Sequence, residues 1–204
     1  MTPQRLAKIE SVVAQRTYGL TVVLEDVYQE HNAAAVLRSC ECFGVQHVHC
    51  VELRNNFSPS DEVAVGAEKW LDIHRYKSTT EVIGGLNAQG FRTVAMTLGE
   101  GALPLDELPL DKPLALVFGT ELKGLSAEGH ALCQSKAYLP MWGFTQSFNI
   151  SVSVALSLQT LMPKLRAQKL FPMSEPERRS LKLEYMKRSL PHWQKMAEHL
   201  KIKA

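Results

Sequence analysis

Leu116-Val117-Phe118-Gly119-Thr120-Glu121-Leu122-Lys123-Gly124-Leu125 is the stretch that decides the fold. An unbroken apolar run, residues 114–118, ends on a glycine and passes at once into a polar loop that carries a carboxylate. An apolar run without alternation reads as a strand buried on both faces, the mark of a parallel sheet in an α/β protein. Ligands of such sheets bind beyond the carboxyl ends of the strands, which puts Glu121 at the ligand-facing edge. Gly119 comes straight off the strand, where the missing Cβ would let a ligand approach the backbone. The glycine spacing of 119–124 is that of a phosphate-binding loop, but Leu125 stands where a lysine is required, so nucleoside triphosphate hydrolysis is disfavoured. Neither GxGxxG nor GxSxG occurs, which removes the ordinary dinucleotide and serine-hydrolase sites.

Working outward, residues 20–24 read as a second buried strand and 45–51 as a third. Shorter strands are expected at 72–76, 91–96 and 137–139. Between them fall helices at 33–43, stopped by Gly44, at 80–88, capped by Thr79 and closed by Gly90, and from Ser126 to about 133. A long apolar helix is expected to start near Ser147, where Ser147 and Asn149 are both cap residues. Residues 52–70 read as loop with a possible short helix. The fold class is therefore α/β, with a mainly parallel sheet and helices on both faces. A short amphipathic helix over 4–16 precedes it, with Leu6, Ile9, Val12 and Val13 on one face. A basic helix, bent or interrupted near Pro191, follows a proline break at 172–176. The expected division is 1–18 for an amino-terminal arm, 19–167 for the α/β domain and 168–204 for a carboxyl-terminal extension.

The chain of 204 residues supports one substantial core. It shows no apolar run that could span a bilayer and no signal-peptide pattern at its start, so cytoplasm is the expected location. The net charge of +2 conceals an asymmetry. Residues 1–20 carry +2 and residues 160–204 carry +7, against −7 for the acidic middle. Basic ends suit a polyanion such as RNA as well as they suit two solvated helix faces. Cys40, Cys42, His47, His49 and Cys50 lie close together, but without the tight CxxC-type spacing of a zinc site. Alternation along 47–51 also sends neighbouring side chains to opposite faces, so reduced thiols and no metal are expected.

Two further segments join the first. Residues 25–40 hold Asn32 and Arg38 on a helix after a strand end. Arg38 sits among small and apolar neighbours, a setting that calls for an anion, either a ligand or a nearby acid. Residues 139–155, Leu139-Pro140-Met141-Trp142-Gly143-Phe144-Thr145-Gln146-Ser147-Phe148-Asn149 onward, place Ser147 and Asn149 before the long helix. In this order and spacing the three segments closely resemble the SpoU, or TrmH, family of RNA ribose 2′-O-methyltransferases within the SPOUT superfamily. The resemblance covers roughly residues 3–170 and fades from about Phe171. Ala34 stands where many relatives have serine, and Phe148 replaces the commoner leucine.

The resemblance implies a carboxyl-terminal trefoil knot that forms the cofactor pocket, which no sequence-pattern rule would predict. It implies S-adenosyl-L-methionine as cofactor, tRNA as substrate and a homodimer whose active site is completed across the interface. The opening residues look like the arm of the subgroup that methylates guanosine 18 of the tRNA D-loop. By motif match Arg38 is the central catalytic residue, with Asn32 orienting it or the RNA, and Glu121, Ser147 and Asn149 completing the pocket. Thr97, Gly119, Leu139, Met141 and Phe148 are matched to cofactor binding. Arg5, Lys8, Arg16, His31, Lys164 and Arg166 are the candidates for RNA contact. The alternatives are the same chemistry on ribosomal RNA or another tRNA site, a small-molecule methyltransferase, and a non-catalytic RNA-binding protein on this fold.

Overall fold

The computed structural model describes residues 1–190; residues 191–204, including the bend expected near Pro191, lie outside that range. The order of elements is α1 (Pro3–Val13), β1 (Leu20–Glu25), α2 (Glu30–Phe43), β2 (His47–Val51), α3 (Asp61–Ala64), β3 (Asp72–Tyr76) and α4 (Thr79–Ala88). There follow β4 (Arg92–Met96), β5 (Leu103–Pro104), β6 (Leu114–Phe118), α5 (Ala127–Leu132), β7 (Ser135–Tyr138), α6 (Ile150–Ala167) and α7 (Glu175–Ser189).

Seven strands form one sheet in the order β3-β2-β1-β6-β4-β7-β5, with every pairing parallel. The two apolar runs lie side by side at its centre, Leu20 opposite Leu114 and Leu24 opposite Phe118. Each is buried along its whole length, which explains the absence of alternation in both. Successive residues still serve different layers. Leu20, Val22 and Leu24 pack with Leu37, Leu158 and Leu161 of α2 and α6, while Val23, Ala115 and Val117 pack with Val82, Ile83 and Leu86 of α4. Helices thus cover both faces, as the patterning required. Burying each such Leu, Ile or Val contributes roughly 1.5–3 kcal/mol, so this double layer carries most of the stability.

Element ends show local chemistry competing with tertiary contacts. α2 starts at Glu30, three residues before the expected helix, and ends on Gly44 in the left-handed region (φ 83°), where its N–H reaches Cys40 and Glu41 carbonyls. Ser78, not Thr79, caps α4, because its hydroxyl accepts from Glu81 N–H while the Thr79 hydroxyl is drawn inward to Glu25. α6 starts at Ile150 with Asn149 as its cap; Ser147 lies outside the helix. Ser126 does cap α5, accepting from Gly129 N–H.

Residues 1–16 and the chain from Met173 form one unit, and Thr17–Pro172 another. In the first, α1 ends at Val13 rather than near residue 16, and Ile9, Val13, Leu181 and Tyr185 are buried. Lys182 bonds Glu10 across the two helices at 2.5 Å. A capping box between Ser174 and Glu177 starts α7.

Candidate active site

The parallel arrangement brings the loops after β1, β4, β6 and β7 to one edge of the sheet. There the three separated segments meet in a single chain of hydrogen bonds. Asn32, in the first turn of α2, donates from Nδ2 to Glu121 Oε1 at 2.5 Å and also to Gln29 Oε1. Its Oδ1 accepts from Asn149 Nδ2 at 3.1 Å. Asn149 Oδ1 in turn accepts from Ser151 N–H (2.9 Å) and Ser151 Oγ (2.6 Å), closing the amino-terminal end of α6. Asn32 is buried, so both ends of its amide are used where water cannot replace a lost partner. The second oxygen of Glu121, Oε2, is buried with no partner among the described residues.

Beside this chain opens a cleft of about 380 Å³, within the roughly 300–1,000 Å³ of small-molecule and cofactor sites. All five residues matched to cofactor binding, Thr97, Gly119, Leu139, Met141 and Phe148, line it, together with Glu121 and Ser147. Tyr138, Gln146 and Ser153 line it too and escaped the sequence reading. Tyr138 could have been found, since it ends β7 at the ligand-binding edge; Ser153 needed the true start of α6. Asn32 and Asn149 do not line it; Asn32 bonds the lining residue Glu121, and Asn149 bonds Asn32.

Gly119 lines the cleft, and its missing Cβ serves its own loop as well: a Cβ there would lie 2.1 Å from the carbonyl of Gly124. The loop closes on itself through Thr120 N–H to Gly124 O (3.0 Å) and Gly124 N–H to Thr120 O (2.8 Å), and this closure aims Glu121 inward.

Arg38 differs from expectation. It is exposed on α2 rather than enclosed by apolar neighbours, does not line the cleft, and meets no anion among the described residues. Of the candidates for RNA contact, Arg5, Lys8 and His31 are exposed. Arg16 is buried, its guanidinium over the Tyr185 ring, so it is not presented to a ligand. Lys164 donates to the Asp106 carbonyl (2.6 Å) and Arg166 to the Phe43 carbonyl (2.8 Å), both roles within the α/β unit.

The histidines and cysteines build no metal centre: among the described residues no group of three His, Cys, Asp or Glu is placed to hold an ion. His47 and His49 share a face of β2 and contact His74 instead. Burial, then the neighbouring His74 and His47, drive His49 down to about 3, so it is neutral at physiological pH. Burial raises the Cys50 thiol and pushes Cys133 up to about 12, which keeps both protonated.

Comparison with known proteins follows the same segments. Residues 19–159 match the model of the SpoU rRNA Methylase family. The chain is 36% identical over 195 residues to the tRNA (guanosine(18)-2'-O)-methyltransferase of Borreliella burgdorferi, covering 95% of this chain and 89% of that protein. The crystal structure of the TrmH/SpoU tRNA modifying enzyme of A. aeolicus superposes with a TM-score of 0.82 at 26% identity, covering 92% of this chain and 98% of that one. The SpoU methyltransferase AviRb from Streptomyces viridochromogenes, solved in complex with AdoMet, shares the fold with a TM-score of 0.66 at 21% identity, over 77% of this chain and 64% of that one.

Proposed function

The chain belongs to the SpoU rRNA Methylase family, and we propose that it is an S-adenosylmethionine-dependent methyltransferase that methylates the ribose 2′-hydroxyl of guanosine 18 in tRNA. One observation carries this reading: residues from three distant segments, Asn32, Glu121 and Asn149, are tied into one chain of hydrogen bonds beside a cofactor-sized cleft, with Asn32 buried at its centre. The guanosine assignment rests on relatives of that name, one of which matches 95% of this chain. The cofactor supplies an electrophilic methyl group on sulfur.

The cleft suits that molecule chemically. Thr97, Leu139, Met141 and Phe148 line it together, a mainly apolar wall of the kind an adenine ring needs. Around it the chain's own side chains position the reacting oxygen, and proximity of this kind supplies a large part of such accelerations. Arg38 remains protonated in proteins and is unsuited to act as a base. It holds an RNA phosphate and stabilises the developing 2′-alkoxide, while that phosphate or a water accepts the proton.

We also propose a homodimer, which three features support. Among the described residues Arg38 is exposed with no anion beside it, Glu121 Oε2 is buried with no donor, and Val152 and Leu156 leave an apolar stripe along α6. A second copy covering that stripe would bring its own Arg38 to this cleft. We also assign to the chain the family's trefoil knot, formed by β6, β7, α6 and their connecting loops, and a cytoplasmic location among its tRNA substrates. No helix among the described residues is long and apolar enough to cross a membrane.

The test is methyl transfer from labelled cofactor to a tRNA transcript by wild type and Arg38→Ala. The variant is expected to lose at least about 100-fold in rate, in the range for removing one transition-state donor, with cofactor affinity kept. Wild-type protein that binds tRNA yet transfers no methyl group would favour a non-catalytic RNA-binding protein instead.

A further inference from the structure

The loop that closes the cleft, residues 139–149, carries two aromatic rings the mechanism has not used. Trp142 is 92% exposed and Phe144 is fully exposed, separated by Gly143. Single exposed apolar residues are ordinary, but two large rings two residues apart, both almost wholly exposed, need a reason. The indole N–H has no partner among the described residues.

Their position is specific. Met141 on one side of the pair and Gln146, Ser147 and Phe148 on the other all line the cleft, so both rings stand at its rim. Residues 139–149 contain no charged side chain. The facing loop, 119–124, turns its acid inward to Asn32 and leaves Lys123 outward, without an acidic partner. These two loops therefore combine two stacking faces with one outward cation and no outward acid. That combination is complementary to an unpaired base with its phosphate.

We propose that Trp142 and Phe144 form the platform on which an unpaired base of the substrate RNA stacks, with Lys123 taking an adjacent phosphate. This rests on the reading of the protein as an RNA ribose methyltransferase. A ribose whose 2′-oxygen reaches into the cleft carries its base and the neighbouring ones to within a few ångströms of this rim. Stacking there fixes the sugar's orientation without reading sequence, since every base offers a π-face.

The test uses the full chain and a tRNA transcript. Wild-type tryptophan fluorescence should be quenched as transcript is added, and most of the quench should vanish in Trp142→Tyr, which keeps an aromatic face. Trp142→Ala with Phe144→Ala should weaken transcript binding by about tenfold or more, in line with the loss of one or two stacked bases. Trp142→Tyr should restore most of it. Cofactor affinity and molar mass by light scattering should stay at wild-type values. Unchanged transcript affinity in the double variant would overturn the proposal. So would a fall in molar mass, which would give the rings to contact between copies. Failure of the wild type to methylate tRNA would instead overturn the reading of function, while quench and affinity still decide the platform.

Discussion

Two carboxylates, Glu25 buried and Glu121 half-buried, stand at the same edge of the sheet, on opposite faces, and their surroundings differ. Glu25 ends β1 on the side of α4 and α5. Its oxygens accept from the Thr79 hydroxyl (2.6 Å), the Ser126 N–H (2.7 Å) and the Ser126 hydroxyl (2.7 Å). Glu121 follows β6 on the side of α2 and α6, with one oxygen held by Asn32 and the other without a donor. A fully satisfied buried carboxylate is a clasp, fastening two helices to the strand between them. A half-satisfied one, in a cleft wall, bears a cost that a donor brought to the cleft would relieve. On the function proposed above, the first glutamate serves the fold and the second the site, though both stand at strand ends.

The comparison breaks first at Glu121. Glu121→Gln keeps an oxygen for Asn32 but removes the charge, so the rate of methyl transfer should fall by about 100-fold or more. The thermal midpoint should stay close to wild type, as melting curves beside single-turnover rates will show. Glu25→Ala should give the reverse pattern. It leaves the Ser126 N–H and two hydroxyls without their acceptor, at a cost of about 3 kcal/mol. At roughly 2–4 °C per kcal/mol for a chain this size, calorimetry should find a midpoint lower by roughly 6–12 °C. Cofactor affinity measured well below that midpoint should hardly change.

A third carboxylate sharpens the contrast by its pH dependence. Glu52 is bonded by Lys77 (2.8 Å), Phe57 N–H (3.0 Å) and Arg75 (2.5 Å), and these hold it down to about 2. Its folded-state value lies below the ordinary 4.5, so its stabilisation is complete above that pH. It is lost as pH falls through about 2. Denaturant midpoints should therefore drop between these limits, by less in Glu52→Gln than in wild type. Activity near neutrality should be unaffected by that substitution.

These carboxylates also mark how far the sequence could be read. The central strands were legible because residues 20–24 and 114–118 are apolar without alternation, which only double-sided burial explains. The three site segments were legible because each follows a strand end in an α/β pattern, and the family resemblance assembled them. What was lost was decided by contacts across the fold. Ser147 and Asn149 are equally good caps, and Asn149 prevails in the structure where it also bonds Asn32. Thr79 gave up the cap of α4 to Ser78 because Glu25 takes its hydroxyl. Gly119 lines the cleft, but the room left by its missing Cβ is filled by the Gly124 carbonyl. Basic residues resisted most. Arg16 is packed under Tyr185 while Arg38 is exposed, an inversion of what their neighbours in the sequence suggest.

The most direct measurement is nucleoside mass spectrometry of a tRNA transcript after incubation with purified protein and methyl-labelled S-adenosylmethionine. One label per molecule, on the ribose of guanosine 18, is the predicted result. Label on a base, or unmodified transcript alongside active cofactor, would contradict it.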